Sequence, residues 1–144
     1  MSLFNFFKSS AKPVTPTMIK NHILIVDDEQ YLNDLYTELL TSEGYTVTSA
    51  FNGKEALTLI FKNPPQLIIL DIMMPIMNGN EVLAALHDED TTKRIPVIVL
   101  TNDINIENRA TANLYNAHKF FVKANIDPSV IVQAVKEVIP VSSI

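Results

Sequence analysis

Four consecutive aliphatic residues, Leu67-Ile68-Ile69-Leu70, run directly into Asp71 and are fenced by Pro64-Pro65 upstream and Pro75 downstream. An amphipathic helix keeps a polar side, so a short unbroken apolar run bounded by prolines specifies a strand covered on both faces, as at the centre of a parallel sheet. Such a sheet requires helices on both sides, and its ligands gather outside the carboxyl ends of its strands. Asp71 falls at that end. A strand-end aspartate can also do no more than cap a loop, so its meaning depends on what the other strands bring to the same rim.

The rest of the chain repeats the alternation. His22-Ile23-Leu24-Ile25-Val26 is a second apolar run, ending in Asp27-Asp28-Glu29. Leu32, Leu35, Tyr36, Leu39 and Leu40 then recur at helical spacing up to Gly44, a natural stop. Tyr45 to Ala50 alternates β-branched with small residues and reads as a short edge strand. Asn52 caps the next helix with Glu55 as its capping-box partner, and Ala56, Leu57 and Ile60 form its stripe. After Asp71 come a turn at Met77-Asn78-Gly79, a helix carrying Val82, Leu83 and Leu86, and a strand from Ile95 to Leu100 that ends in Thr101. Residues 102–116 are asparagine-rich and predict only a weakly amphipathic helix through Ile106, Ala110 and Leu114. Phe120-Phe121-Val122 is a brief strand ending in Lys123, and Asp127-Pro128 opens a last helix with Ile131, Val135, Val138 and Ile139 inward. Five strands alternating with five helices predict a doubly wound α/β domain.

At 144 residues there is room for one domain with a tail. The expected division is an arm over 1–20, the folded domain over 21–140 and a short tail over 141–144. The arm carries an aromatic cluster, Leu3-Phe4-Asn5-Phe6-Phe7, ahead of a Ser- and Pro-containing stretch without periodicity, which reads as flexible. A net charge of −5 argues against a general nucleic-acid binder. The absence of cysteine excludes disulfides, thiolate metal sites and a cysteine nucleophile. No apolar run approaches the roughly 20 residues of a membrane span and no signal-peptide layout opens the chain, so the expected location is the cytoplasm.

Carboxyl ends of parallel strands share one rim, which here collects Asp27 and Asp28, Asp71, Thr101 and Lys123 from four different strands. Carboxylates crowded together repel and hold their protons unless cations compensate. A hard divalent cation with oxygen ligands answers that need, and magnesium suits a site of one or two carboxylates plus phosphate oxygens. Lys123 adds a positive charge and Thr101 a hydroxyl, so the set as a whole suits a phosphoryl group carried by an aspartate. The three histidines, His22, His87 and His118, share no metal-ligand spacing, and Met73, Met74 and Met77 read as core and loop filler. Glu29 reads as a solvated residue of a first helical turn.

With these residues in place the chain resembles the receiver domains of bacterial two-component response regulators, over roughly His22 to Ile139. The motifs are Ile25-Val26-Asp27-Asp28-Glu29, Leu70-Asp71-Ile72-Met73-Met74-Pro75 with Asn78-Gly79, Leu100-Thr101, and Phe120-Phe121-Val122-Lys123. The resemblance implies a flavodoxin-like receiver fold with strand order 2-1-3-4-5 and Asp71 as the phosphoacceptor. It implies Mg²⁺ (or Mn²⁺) held by Asp28, by Asp27 through water, by Asp71 and by the backbone carbonyl of Met73. Lys123 would pair with the phosphoryl oxygens, Thr101 would move toward them, and Phe120 stands where an aromatic rotates with that threonine. The implied donor is a sensor histidine kinase or a histidine phosphotransfer protein, and the implied output is a downstream protein or a second histidine in a phosphorelay. The protein itself is expected to be a monomer or weak dimer and not an enzyme beyond its own phosphorylation and slow dephosphorylation.

Some positions depart from the family's commonest pattern. Asn78 stands for a frequent aspartate, Asn102 for a small residue, Phe120 for a tyrosine and Ala124 for a proline that follows the lysine through a cis bond. A cis bond before a non-proline residue costs on the order of 3 kcal/mol, which predicts a trans Lys123-Ala124 peptide. Met73 and Asp103 lie two residues beyond Asp71 and Thr101, where family side chains influence hydrolysis; an apolar Met73 cannot orient an attacking water whereas an aspartate at 103 is able to, and the expectation is a phosphoryl lifetime of minutes or longer. Two other functions fit less well. Haloacid-dehalogenase-like metal phosphatases use an aspartyl nucleophile but need an acid two residues on, where Met73 stands. A nucleotide-binding flavodoxin-like module needs a glycine- or hydroxyl-rich loop after the first strand, where three acidic residues stand instead.

Overall fold

The computed structural model describes residues 19–102, 105–115 and 117–141. Most of the N-terminal arm, Asp103 and the last three residues lie outside the described set. The described elements, in order, are β1 (His22–Val26), α1 (Gln30–Ser42), β2 (Thr46–Ala50), α2 (Gly53–Lys62), β3 (Leu67–Leu70), α3 (Gly79–His87), β4 (Val97–Thr101), α4 (Ile106–Leu114), β5 (Lys119–Val122) and α5 (Pro128–Val138). All strand pairs are parallel, in the order β2-β1-β3-β4-β5. The doubly wound sheet and its expected strand order are therefore observed, with β2 at an edge.

The apolar runs make the three central strands, and their alternating residues divide the core into two layers. Leu24, Val26, Ile68, Leu70, Val97 and Val99 face one side, packed with Ala56, Leu57 and Ile60 of α2, Val82, Leu83 and Leu86 of α3, and Ala112 of α4. Ile23, Ile25, Leu67, Ile69, Ile98 and Leu100 face the other, against Tyr36 and Leu40 of α1 and Ile131, Val132, Ala134 and Val135 of α5. Caps set the helix starts. Asn52 accepts from Glu55 N–H at 2.8 Å, and Asn78 accepts from Glu81 N–H at 2.9 Å. Asp127 accepts from Ser129 N–H at 2.8 Å with Pro128 at the first helical position. Gly44, at φ 100°, ends α1 in the left-handed conformation.

The fourth helix departs from its expected stripe at Ala110 and Leu114, while the side chain of Ile106 lies outside the described set. Ala110 and Leu114 are exposed, Leu114 by 71%, while Ala112 is fully buried against the sheet. Ala112 stands two residues, about 200°, around the helix from both Ala110 and Leu114, so the inward face is opposite to the expected stripe, in the layer that holds Val82, Leu83 and Leu86 of α3. No described peptide bond is cis, so Lys123-Ala124 is trans as expected, and the chain passes from β5 into a 3₁₀ turn over Lys123–Asn125.

Candidate functional site

The carboxyl ends of β1 and β3 are tied side by side, and each delivers a carboxylate. Asp71 N–H donates to Val26 O at 2.9 Å, and Asp27 N–H donates to Ala50 O at 3.1 Å, so both aspartates begin where a ladder ends. Each is then locked by the amide two residues on. Glu29 N–H donates to Asp27 Oδ1 at 2.9 Å, and Met73 N–H donates to Asp71 Oδ1 at 3.1 Å. These turns consume one oxygen of each carboxylate and leave the other facing the middle of the rim.

Lys123 fills that middle. Its Nζ lies 2.7 Å from Asp71 Oδ2 and 2.7 Å from Asp27 Oδ2, with all three side chains nearly inaccessible to solvent. Glu29, on which α1 opens, places Oε1 at 3.9 Å from the same ammonium. Glu29 is solvated as expected, its side chain 53% exposed, but it is the capping residue before the helix rather than a member of its first turn. Asp28 is exposed, yet one ligand oxygen from each of Asp27, Asp28 and Asp71 lies within 4.8 Å of the others.

The electrostatics follow from this crowding. Burial raises the Asp27 carboxyl above its ordinary value, and the hydrogen bonds from Lys123 and Glu29 N–H only partly oppose it. Burial acts to lower Lys123, but its bonds to Asp27 and Asp71 outweigh that, and its net shift is upward. One ammonium therefore faces several carboxylates, and the cluster keeps an excess of negative charge with hard oxygen donors open to solvent at Asp28. That donor set fits a divalent cation of the magnesium or manganese kind.

Thr101 is fully buried at the end of β4, in register with Val122, and Lys123 follows directly. Phe120 lies in register with Val99 and packs on the same layer as Val97 and Val99. Arg109 of α4 sits over its ring, with Cζ at 5.3 Å from the centroid. The structure thus brings Asp27, Asp28, Asp71 and Lys123 into one cluster and sets Thr101 and Phe120 beside it. Met73 enters through its amide, while its side chain is 62% exposed. Sequence reasoning missed Arg109, and it missed Asn33, a fully buried amide beneath the acid pair. Asn33 was detectable in principle, because it falls at helical spacing on the apolar stripe with Tyr36 and Leu40.

The histidines stay outside the cluster. His22 Nε2 pairs with Thr48 Oγ1 at 2.8 Å at the far end of β1, His87 packs edge-on against Tyr115, and His118 is exposed. No described helix is long and apolar enough to cross a membrane.

Residues 23–136 match the response regulator receiver domain family. The chain is 32% identical over 121 residues to an uncharacterized 14.6 kDa protein of Leptolyngbya boryana, covering 84% of this chain and 92% of that one. It superposes on the chemotaxis protein CheY4 of Vibrio cholerae with a TM-score of 0.76 and 28% identity, over 85% of this chain and 100% of that one. A similar likeness, TM-score 0.75 and 25% identity over 85% of this chain and 97% of that one, holds for the Mn²⁺-bound response regulator Rcp1. Several other curated relatives are longer, and the chain spans between 17% and 46% of their length. A five-stranded parallel sheet in the order 2-1-3-4-5, with an acid cluster and a lysine at its carboxyl rim, accompanies that match, and the chain belongs to the response regulator receiver family.

Proposed function

We propose that the protein is a phosphoacceptor switch in which Asp71 takes a phosphoryl group from a phosphohistidine on a sensor kinase or phosphotransfer protein. The observation that carries this reading is the position of Lys123 Nζ, 2.7 Å from both Asp71 and Asp27, at a cluster that retains negative charge. An ammonium so placed loosens from one carboxylate and pairs with phosphoryl oxygens as they arrive. In the transfer Asp71 Oδ2 attacks phosphorus, the P–N bond breaks, and its electron pair returns to the imidazole nitrogen.

Asp27, Asp28 and Asp71, with the carbonyl of Met73, are the groups that would hold Mg²⁺ or Mn²⁺. A cation bound there supplies charge neutralisation for the incoming phosphoryl oxygens. The Mn²⁺-bound state of Rcp1 supports this assignment.

The output passes through Thr101 and Phe120. Both lie on the sheet layer covered by α3 and α4, so a Thr101 hydroxyl drawn toward the phosphoryl group alters the room available to the Phe120 ring. A ligand shifts a conformational equilibrium only through such a difference in contacts between two states. The altered surface, around α4, β5 and α5, then binds or releases a downstream protein.

Incubation with acetyl phosphate and Mg²⁺, followed by intact-protein mass spectrometry, tests the reading. Wild type gains the mass of one phosphoryl group, and Asp71→Asn or removal of the metal with a chelator abolishes the gain. An unmodified wild type, or a modified Asp71→Asn, overturns the assignment.

A further inference from the structure

Beneath the acid pair α1 buries an amide. Asn33 is fully buried, and its Nδ2 donates to two backbone carbonyls, Asp27 O and Ala50 O, each at 3.2 Å. Ala50 O also accepts from Asp27 N–H at 3.1 Å, so the ends of β1 and β2 are joined at one point. The other carbonyl that Asn33 holds at this junction, Asp27 O, belongs to the peptide linking Asp27 to Asp28. The amide can face only one way, because turning it over would set Oδ1 against two carbonyl oxygens. Thr37 holds the helix behind it, donating from Oγ1 to Asn33 O at 2.7 Å and approaching Ser49 Oγ on β2 at 3.3 Å.

Asn33 Oδ1, by contrast, has no hydrogen-bond partner among the described residues. A buried carbonyl left without a donor costs about 1–3 kcal/mol, so the orphaned Oδ1 offsets much of what the two bonds from Nδ2 contribute to stability. The amide is a poor device for stability, and what it does that leucine cannot is fix the Asp27–Asp28 peptide.

We propose that Asn33 is a positioning residue of the cation and phosphoryl site, acting through the Asp27–Asp28 peptide to aim both carboxylates. This role rests on the phosphoacceptor reading above. Asn33 touches neither the cation nor the reacting phosphorus, so its removal acts by letting the acid loop wander, which weakens cation binding before it affects anything else. Groups that orient metal ligands from behind typically account for about 10- to 100-fold in metal affinity.

Calorimetric titration of the full chain with Mg²⁺, alongside thermal unfolding, tests this on wild type, Asn33→Leu, Asn33→Ser and Leu86→Ala. Leu86 lies at the end of α3 away from the acid rim and reports what lost stability alone does. Asn33→Leu, which removes the orphaned Oδ1 but leaves Asp27 O without its side-chain donor, is expected to bind Mg²⁺ about tenfold more weakly or worse, a loss out of proportion to any change in its unfolding midpoint when set beside Leu86→Ala. Asn33→Ser, which keeps a hydroxyl donor and remains testable if leucine does not fit, is expected to fall between the two. Leu86→Ala is expected to lose stability and keep wild-type affinity. Wild-type affinity in the folded Asn33 variants, or an equal loss in Leu86→Ala, overturns the proposal. A wild type that neither binds Mg²⁺ nor accepts a phosphoryl group overturns the phosphoacceptor reading itself, and this role with it.

Discussion

Gly79 lies directly against the backbone of Asp71. A Cβ at Gly79 would collide with the Asp71 carbonyl oxygen and come within 2.7 Å of Ile72 Cα, while Gly79 N–H donates to Ile72 O at 2.9 Å. The start of α3 therefore presses on the strand end that presents the candidate phosphoacceptor. Gly79→Ala forces that junction apart and is expected to destabilise the fold by about 2 kcal/mol. It is also expected to slow phosphorylation of Asp71 by acetyl phosphate. Gly44→Ala, strained by its φ of 100° instead, is expected to lose stability with an unchanged phosphorylation rate in the folded protein. Urea unfolding and the rate of mass gain, measured on both variants, check the contrast.

Lys123 is the one cation within 4.0 Å of Asp27 and Asp71 among the described residues, and Lys123→Met leaves both carboxylates buried without it. Breaking a buried pair from one side costs about 3 kcal/mol at neutral pH. Burial already raises the Asp27 carboxyl, and without the ammonium it rises further. A folded value above the unfolded one means that the fold favours the protonated acid, so the deficit shrinks as the solution is acidified. Wild type behaves oppositely at alkaline pH. Because the folded value of Lys123 lies above its ordinary 10.5, its stabilisation is present below that pH and lost as the pH rises through the folded value. Urea midpoints across pH for both proteins read the two slopes.

His22 predicts a separate acid sensitivity at the other end of the sheet. Its ring is buried, Nε2 is paired with Thr48 and Nδ1 has no partner among the described residues, so burial lowers its pKa from 6.5. A lowered value means that the unfolded chain takes up a proton first. The stability is therefore present above pH 6.5 and lost as the pH falls through the folded value. His22→Gln is expected to flatten the fall in urea midpoint from about pH 7 to pH 5, and an identical slope in both proteins refutes the assignment.

Much of this was legible in the residues because the controlling physics is local. Continuous apolar runs specify doubly covered strands, and parallel strands deliver their ends to one rim, so Asp27, Asp28, Asp71 and Lys123 converge without any tertiary information beyond direction. Asn33, Arg109 and the contact under Gly79 depend on the angle and depth at which a helix packs, which periodicity does not encode. The fourth helix shows the same limit, since its buried face is set by the small Ala112 rather than by the larger Leu114.

Arg109 gives the switch a measurable restraint. With its guanidinium over the Phe120 ring at 5.3 Å, it favours the ring position seen here. Cation–π contacts at partly exposed sites contribute about 0.5–1 kcal/mol. A double-mutant cycle of Arg109→Ala and Phe120→Leu is expected to return a coupling of about that size, and additive effects of the two changes refute the contact. If Phe120 moves on phosphorylation, the coupling is smaller in the phosphorylated protein.

Met73 bears on how long the signal lasts. Its backbone N–H holds Asp71 Oδ1 at 3.1 Å, and its side chain extends into solvent beside the carboxylate. Hydrolysis of an aspartyl phosphate requires a water in line behind phosphorus, and a thioether is too weak an acceptor to orient one. The expected lifetime of the phosphoprotein is therefore minutes or longer. Met73→Asn keeps the backbone amide and adds a carboxamide able to orient the water, so it is expected to shorten the lifetime severalfold without changing the extent of phosphorylation at saturating donor. Following loss of the phosphoryl mass after removal of acetyl phosphate measures both proteins. Decay of the wild type within seconds, or equal decay in Met73→Asn, removes Met73 as the determinant of persistence and leaves water access to Asp71 controlled from another side of the rim.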